Sequence, residues 1–292
     1  MQVSDNARGV AIICMAMAAF VLNDTAVRAV TATVPLFEVI ALRGVLSVAG
    51  LMFIGWRTGS LQGRLPRQDA WLVALRMAAE VAASLLFLLA LVHMPLANLS
   101  AIMQFLPLAV TLAAALVFRQ HIGWRRLVAI LIGLSGVLLI IRPGRDGFDQ
   151  WALMGLASVG FVVVRDLASS RISSAVSSVT VSVWSALAVT ALGIVGAIYQ
   201  GWQPISPREM GLIGFAAFFL VIGYIAAVGS MRVGDIAVVA PFRYTALLWA
   251  IVLGWGLFGT LPDRTTLIGA ALVVATGLYT FWREGRLKLR AA

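Results

Sequence analysis

The sequence has very little of what soluble enzymes use for chemistry. In 292 residues it contains one lysine (Lys288), one cysteine (Cys14) and two histidines (His93 and His121). A single lysine excludes a phosphate-binding loop and a Schiff-base site, so the chain is not itself an ATPase. The histidines lie far apart along the chain, which leaves no metal-ligand cluster and no histidine-based triad. We therefore expect no catalytic residue, no metal and no cofactor.

Charge is scarce as well. Only 12% of the residues are charged and 61% are hydrophobic, whereas soluble proteins are about 25% charged and about 45 to 50% apolar. These proportions exclude a soluble globular protein and a disordered chain. The net charge of +10 comes from arginines at the ends of apolar runs, so it indicates membrane topology rather than nucleic-acid binding. An integral membrane protein remains.

Ten apolar segments follow one another, separated by turns rich in proline and glycine. A spanning helix needs about 20 apolar residues, and no alternating strand pattern occurs, so the sequence predicts an all-α membrane protein with ten transmembrane helices. The first segment resembles a signal peptide, but its small residues lie inside the apolar run, so we expect it to be a membrane span. The predicted segments are 9–28, 35–55, 69–91, 95–118, 125–141, 150–170, 173–199, 209–231, 236–259 and 265–283.

Basic residues predict the orientation of these helices. With a cytoplasmic N-terminus, thirteen of them lie at inner ends and loops and five at outer ends. Cytoplasmic loops carry the excess of arginine and lysine, so we expect both termini to be cytoplasmic. That arrangement requires an even number of spans, which ten satisfies.

The two halves of the chain show a faint repeat at an offset near 141 residues. Asn23-Asp24 corresponds to Arg165-Asp166, and Ser135-Gly136 corresponds to Thr276-Gly277. Five spans per half would place the second copy upside down in the membrane, as in many secondary transporters. We therefore predict two inverted five-helix repeats, residues 1–145 and 146–292.

The fourth and ninth segments correspond in this repeat, and each contains an internal proline, Pro107 and Pro241 respectively. Prolines are tolerated in membrane helices, so either one alone carries little weight. Interrupted helices at matching positions of two repeats are nevertheless the best sequence indication of a central site.

Longer stretches carry a family resemblance. The segment from Pro241 to Ala250, continuing through Gly254-Trp255 to Pro262-Asp263 and 267–272, resembles the second repeat of the drug/metabolite transporter superfamily, EamA type. The first half resembles that family's first repeat at positions 94–97, 107, 124–126, 133–136 and 142–144.

The resemblance implies a ten-helix carrier in a bacterial cytoplasmic membrane that exports small metabolites without ATP. Within the family the sequence looks most like exporters of aromatic and other neutral amino acids. One departure is that the family often has a glutamate after the glycine that ends the fourth and ninth segments, where this chain has Arg119-Gln120 and Gly259-Thr260. Any coupling role that those glutamates have in the family is therefore not expected in this chain.

Several charged residues fall inside the predicted helices. At about 1.5 Å per residue, Arg43, Arg76, Glu80 and Arg243 lie roughly 10 to 16 Å from their segment ends. A charge at mid-bilayer costs roughly 2.5 to 3.5 kcal/mol, so each should face a cavity or a partner. Arg43 is expected to brace the second segment.

Three other charged residues lie closer to segment ends. Arg165 and Asp166 fall near the inner end of the sixth segment, where a snorkelling arginine explains the position. Asp24 lies near the outer end of the first.

A zwitterionic amino acid needs a cation for its carboxylate, an acceptor for its ammonium group and apolar surface for its side chain. Arg76 and Glu80 share a helix face with Ser84 and Phe87, which favours a wet cavity wall over a purely structural ion pair. Aromatic residues in membrane helices often serve only in packing. The candidate substrate-binding residues are Arg76, Glu80, Ser84, Phe87, Ser100, Gln104, Phe219, Phe242, Arg243, Tyr244 and Trp249, with Pro107 and Pro241 as helix kinks.

Other functions remain as alternatives. A multidrug or cationic-metabolite exporter of the same superfamily should have an uncompensated acid in its cavity, and Arg76 beside Glu80 argues against that. A membrane-embedded enzyme acting on lipids would need clustered His, Asp or Ser groups at one interface, and a channel would need a filter motif. The sequence contains neither. Ten helices are enough to enclose a site in a monomer, and the expected partners are the substrate and the lipid bilayer.

The predicted orientation can be tested with single cysteines in a Cys14→Ala background. The positive-inside bias places Ser60 in the cytoplasm and Gly144 outside, so an impermeant thiol reagent added to intact cells should label Gly144→Cys and spare Ser60→Cys. Lysed cells serve as the control, because both positions should then react. The reverse pattern on intact cells would invert the assignment.

Overall fold

A computed structural model describes residues 2–61, 66–117, 123–141, 150–173, 175–233 and 236–291. All regular secondary structure in these ranges is helical. The α-helices are α1 (Gln2–Val30), α2 (Leu36–Arg57), α3 (Arg67–His93), α4 (Leu96–Met103), α5 (Leu106–Val117), α6 (Trp124–Ile141), α7 (Gln150–Arg171), α8 (Ser178–Gln200), α9 (Pro207–Val233), α10 (Ile236–Val239), α11 (Thr245–Phe258) and α12 (Arg264–Ala291), with a 3-10 helix (Ala240–Tyr244) between α10 and α11.

Ten stretches in the described ranges are long and apolar enough to cross a membrane. Eight are single helices. The fourth, Leu96–Val117, consists of α4 and α5, and the ninth, Ala240–Phe258, consists of the 3-10 helix and α11. The predictions of an all-α fold and of ten spans are therefore confirmed.

Proline and glycine fix where several helices begin and end. Pro35, Pro66 and Pro95 immediately precede α2, α3 and α4, each with an extended backbone that leads the chain into the helix. At the other end of a span, Gly259 follows α11 with φ of 64°, a left-handed conformation that glycine adopts without steric cost. Proline and glycine residues in the turns thus determine where these spans begin and end.

The packing of helices reflects the repeat. The extensive pairs are α1 with α9, α3 with α7, α2 with α8 and α6 with α12. Suppose that α1, α2, α3 and α6 of the first repeat correspond to α7, α8, α9 and α12 of the second. The α1–α9 pair then maps onto the α7–α3 pair, and the α2–α8 and α6–α12 pairs each map onto themselves. This is the pattern that a twofold axis in the membrane plane produces. The predicted junction at 145/146 and the outer turn at Pro143-Gly144 lie outside the described residues.

Glycines bring the two repeats into backbone contact. A Cβ atom added to Gly136 on α6 would lie 2.7 Å from the carbonyl oxygen of Gly269 on α12, and one added to Gly269 would overlap the carbonyl oxygen of Gly136. Between α2 and α8, a Cβ on Gly193 would lie 2.6 Å from the amide nitrogen of Ala41. Membrane helices lack a hydrophobic driving force for association, so close packing of small residues holds these pairs together.

A branched side chain at Gly136 should therefore separate α6 from α12. We expect Gly136→Val to destabilise the protein by about 2 kcal/mol or more, because the opposing atoms are backbone and cannot rotate away. Gly160→Val is the matched control, since a Cβ there meets no atom within 4 Å. Thermal unfolding of the two variants in detergent checks this, and equal midpoints would contradict the packing argument.

Candidate functional site

Two spans are interrupted at matching positions of the repeat. The fourth span breaks at Gln104 and Phe105, just before Pro107, and the ninth span takes 3-10 geometry from Ala240 to Tyr244 around Pro241. Proline removes an amide donor and clashes with the preceding turn, which explains both interruptions. A short 3-10 stretch within a longer helix often marks a functional hinge.

A cavity of about 270 Å³ lies between these interruptions. It is lined by residues of α5, α7, the 3-10 helix and α12, among them Pro107, Thr111, Asp166, Arg243, Thr280 and Phe281. Ligand pockets usually measure about 300 to 1,000 Å³, so this one suits a small metabolite.

The charged members of this cavity come from different elements. Asp166 lies on α7 and Arg243 on the 3-10 helix, and the Arg243 guanidinium interacts electrostatically with the Asp166 carboxylate. The hydroxyl of Thr111 accepts a hydrogen bond from the Arg126 guanidinium at 3.0 Å. An acid, a cation and hydroxyl groups therefore face one small space within the membrane.

A second group of charges lies beside the cavity and binds α3 to α7. Glu80 is 3.4 Å from Arg165 and 3.9 Å from Arg76, and Arg165 pairs with the neighbouring Asp166 at 2.9 Å. Two acids and two arginines make this charge cluster electrically neutral, as burial in a membrane requires. The snorkelling expected of Arg165 is wrong, because its guanidinium turns to Glu80 and Asp166.

Arg76 is also held by hydroxyl groups. Its Nε donates to Ser169 Oγ at 2.8 Å, and an Nη donates to Ser185 Oγ on α8. Arg76 and Glu80 therefore form the predicted pair on one helix face, but protein groups satisfy both of them. The charge cluster joins three helices, and its link to the cavity runs through Arg165 and Asp166.

The polar residues of α1 and α2 form a separate contact. Arg43 donates to Asn23 Oδ1 at 3.2 Å, and the Asn23 amide donates to Asp24 Oδ1 at 2.8 Å. Asn23 and Arg43 are both buried. This geometry agrees with the structural role expected of Arg43, which connects the second span to the first.

The remaining polar and α3 candidates, Ser84, Phe87, Ser100 and Gln104, are not among the residues that line the cavity. Ser84 and Phe87 are partly buried on α3, and Phe87 packs against the main hydrophobic core. The amide of Gln104 donates to the Ser100 carbonyl at 3.2 Å, and the Gln104 side chain is buried at the helix break.

The aromatic candidates divide into three environments. Phe219 packs against Phe215 and Phe218 on α9. Phe242 and Tyr244 line an apolar groove next to the cavity, whereas Trp249 is exposed on α11. Of the predicted residues, the structure thus brings Arg243 and Pro107 to the cavity, together with Asp166, which the sequence analysis did not select. The feature of the sequence that points to Asp166 is its correspondence to Asp24 in the repeat.

Ten spans, two interrupted helices at matching positions and a charged cavity between them define a membrane transporter built from repeats. A model of the EamA-like transporter family matches residues 7–142 and, a second time, residues 149–282. The chain therefore belongs to the EamA-like transporter family and contains that family's domain twice.

Named relatives transport different compounds. The chain is 27% identical to the riboflavin transporter of Vibrio cholerae over 226 residues, 77% of this chain and 76% of the relative. It is 24% identical to the S-adenosylmethionine uptake transporter of Rickettsia conorii, over 65% of this chain and 64% of the relative. It is also 24% identical to the pseudopaline exporter of Pseudomonas aeruginosa, over 91% and 93%. None of these three is named as an amino-acid exporter.

A solved crystal structure shares the fold. It superposes with a TM-score of 0.64 over 91% of this chain and 95% of that chain, at 19% sequence identity. Similarity at this level establishes the architecture alone.

Removing the carboxylate of Glu80 tests whether the charge cluster is structural. Glu80→Gln leaves two partly buried arginines without their shared acid, and losing one partner of a buried ion pair costs on the order of 3 kcal/mol. We expect a lower unfolding midpoint in detergent than for wild type and for the control Ser84→Ala, one turn along the same face. An unchanged midpoint with transport lost would instead make Glu80 a substrate ligand.

Proposed function

We propose that this transporter is a secondary carrier that exports neutral amino acids, including aromatic ones, by alternating access. The observation that carries this proposal is the cavity between the interrupted helices, in which Asp166 and Arg243 present opposite charges from α7 and the 3-10 helix. Substrate sites of inverted-repeat transporters lie at such interruptions near the membrane centre.

The chemistry of the cavity suits a zwitterion. A free amino acid loses the hydration of both its charged groups when it enters a membrane protein, and that loss must be offset by opposite charges. The Arg243 guanidinium provides donors for the carboxylate, and the Asp166 carboxylate provides an acceptor for the ammonium group. The hydroxyl of Thr111 and the ring of Phe281 offer further polar and apolar contacts.

The relatives support a substrate of this kind without identifying it. S-adenosylmethionine, which the Rickettsia conorii relative takes up, carries the ammonium and carboxylate groups of methionine. The cavity of about 270 Å³ favours a substrate nearer in size to a single amino acid. Export follows the family resemblance of the sequence, and the Pseudomonas aeruginosa relative is named as an exporter.

Orientation, membrane and oligomeric state complete the proposal. The arginine bias supports cytoplasmic termini in a bacterial cytoplasmic membrane. A cavity formed within one chain supports function as a monomer. Transport driven by gradients rather than by ATP follows from a sequence with one lysine.

Export of organic cations is the second candidate. Asp166 on the cavity wall favours it, because an acid in the cavity is what a cation needs. Arg243 on the same wall opposes it, since a dication would meet a positive charge there.

Transport by purified protein in liposomes tests the proposal and the site together. Phenylalanine and threonine should move faster than a quaternary dication. Asp166→Asn and Arg243→Gln should each lower phenylalanine flux at least tenfold, because each removes a charged hydrogen-bond partner of the zwitterion, and such a hydrogen bond contributes about 1.5 to 3 kcal/mol. Arg57→Gln is the matched control, since Arg57 lies at the end of α2 over the rings of Phe53 and Trp56.

Two outcomes would count against this assignment. Fast dication flux without amino-acid flux would replace amino-acid export by cation export. Normal phenylalanine flux in both Asp166→Asn and Arg243→Gln would remove the cavity from the site.

A further inference from the structure

Tyr244 separates two spaces of opposite character. On one side lies the charged cavity, to which Gly277 and Phe281 contribute. On the other lies an apolar groove of about 530 Å³, which Tyr244 itself lines together with Phe242 and Leu248. Leu248 is 63% exposed, and side chains as apolar and exposed as this one face the lipid chains in a membrane protein. The phenol ring thus lies against Gly277 of the charged cavity and borders a space open to the bilayer.

The hydroxyl of this tyrosine has no hydrogen-bond partner among the residues that the structure describes. Tyr244 is only 7% exposed, and its oxygen is buried among atoms with which it forms no hydrogen bond. A buried tyrosine hydroxyl usually finds a partner, and leaving it unpaired is costly. The position seen here is therefore unfavourable for the hydroxyl, and a position that gave it a partner would be favoured.

Gly277 permits the position seen here. A Cβ atom added to Gly277 would overlap the Tyr244 hydroxyl, so only glycine leaves room for the phenol at this point on α12. Gly277 also lines the charged cavity, and the Tyr244 and Phe281 rings meet edge to face at 6.5 Å. The boundary between the cavity and the groove at this point consequently consists of the Tyr244 side chain packed against Gly277.

The backbone that carries Tyr244 is suited to movement. Tyr244 is the last residue of the 3-10 helix, whose hydrogen bonds have poorer geometry than those of an α-helix. Pro241 in the same segment removes one amide donor. A small change in this segment moves the phenol away from Gly277 without unwinding α11.

We propose that Tyr244 is a movable wall that sets the size of the substrate side chain. When the phenol leaves Gly277, the charged cavity and the apolar groove become one binding space, polar at one end and apolar at the other. Amino acids with aromatic or long aliphatic side chains place the charged head at Arg243 and Asp166 and the side chain in the groove, and the freed hydroxyl donates to the substrate carboxylate. Small amino acids fit with the wall closed. The choice of substrate rests on the proposed function, whereas the wall itself does not.

A spin label tests the wall without any substrate. Thr280→Cys in a Cys14→Ala background places a nitroxide on the lining of the charged cavity. Collisions with lipid-dissolved oxygen are compared with collisions with a water-soluble nickel chelate. Tyr244→Ala and Gly277→Ala should raise the oxygen-to-nickel ratio at least twofold, since each opens the cavity to the groove, while Tyr244→Phe should leave it unchanged or lower. Gly256→Ala is the control glycine, because a Cβ there meets no atom within 4 Å.

Transport in liposomes tests what the wall selects. The ratio of phenylalanine flux to alanine flux should rise severalfold in Gly277→Ala and fall severalfold in Tyr244→Phe, which keeps the ring and removes the unpaired hydroxyl that disfavours the closed position. Gly256→Ala should keep the wild-type ratio.

The two measurements separate the possible failures. An unchanged oxygen-to-nickel ratio in both Tyr244→Ala and Gly277→Ala overturns the wall. A raised ratio with an unchanged preference for phenylalanine overturns its role in selection. Absence of any amino-acid flux in the wild type overturns the proposed function and the selection with it, while the spin label still decides on the wall.

Discussion

The hydrocarbon core of a membrane offers no hydrogen-bond partners, and this constraint determines most of the structure. Backbone groups must be satisfied within each span, so the described spans are helical and irregular backbone is tolerated only where it faces protein or a cavity. The two interruptions, at Gln104–Phe105 and at 240–244, meet this condition because the backbone near both of them borders the same cavity. The candidate site therefore lies where the backbone departs from regular α-helical hydrogen bonding.

The same constraint acts on charged side chains and gives Asp166 two partners of different kinds. Through Arg165 it belongs to a neutral charge cluster that fastens α7 to α3, and its carboxylate also faces Arg243 in the cavity. An ammonium group bound at Asp166 would compete with Arg165 for the carboxylate and leave Arg165 to Glu80 alone. Occupancy of the cavity is thereby connected to the contact between a helix of one repeat and a helix of the other.

Much of this architecture follows from the sequence because the relevant signals are local. Span length, the turns at Pro35, Pro66 and Pro95, and the matching prolines at 107 and 241 each act within one helix, and the structure contains the corresponding features. The sequence also predicts Arg243 as a site residue, because a charge so deep in a span requires a cavity or a partner. These arguments need no knowledge of which helices are neighbours.

The parts that the sequence did not predict depend on neighbours. Depth along its own helix places Asp166 near the end of α7, whereas its contacts are with Arg165 and, through Arg165, with Glu80 on α3. The exposure of Trp249 could not be read from periodicity, since lipid-facing and core-facing residues of a membrane helix are equally apolar. Asp24 occupies the position of the first repeat that is equivalent to Asp166. This correspondence points to Asp166 only when the two repeats are compared with each other.

The distribution of small residues finally limits where the protein can move. Backbone contact through Gly136 and Gly269 fastens α6 to α12, and Gly193 does the same for α8 and α2. Packed interfaces of this kind resist gradual deformation, so any rocking of the repeats that the proposed function requires would use other elements. Proline removes an amide donor from each interrupted span, and the ninth span carries Arg243 and Tyr244 in its 3-10 segment. On the proposed function, the elements that line the substrate cavity are therefore also those best suited to movement, which is what coupling substrate binding to alternating access requires.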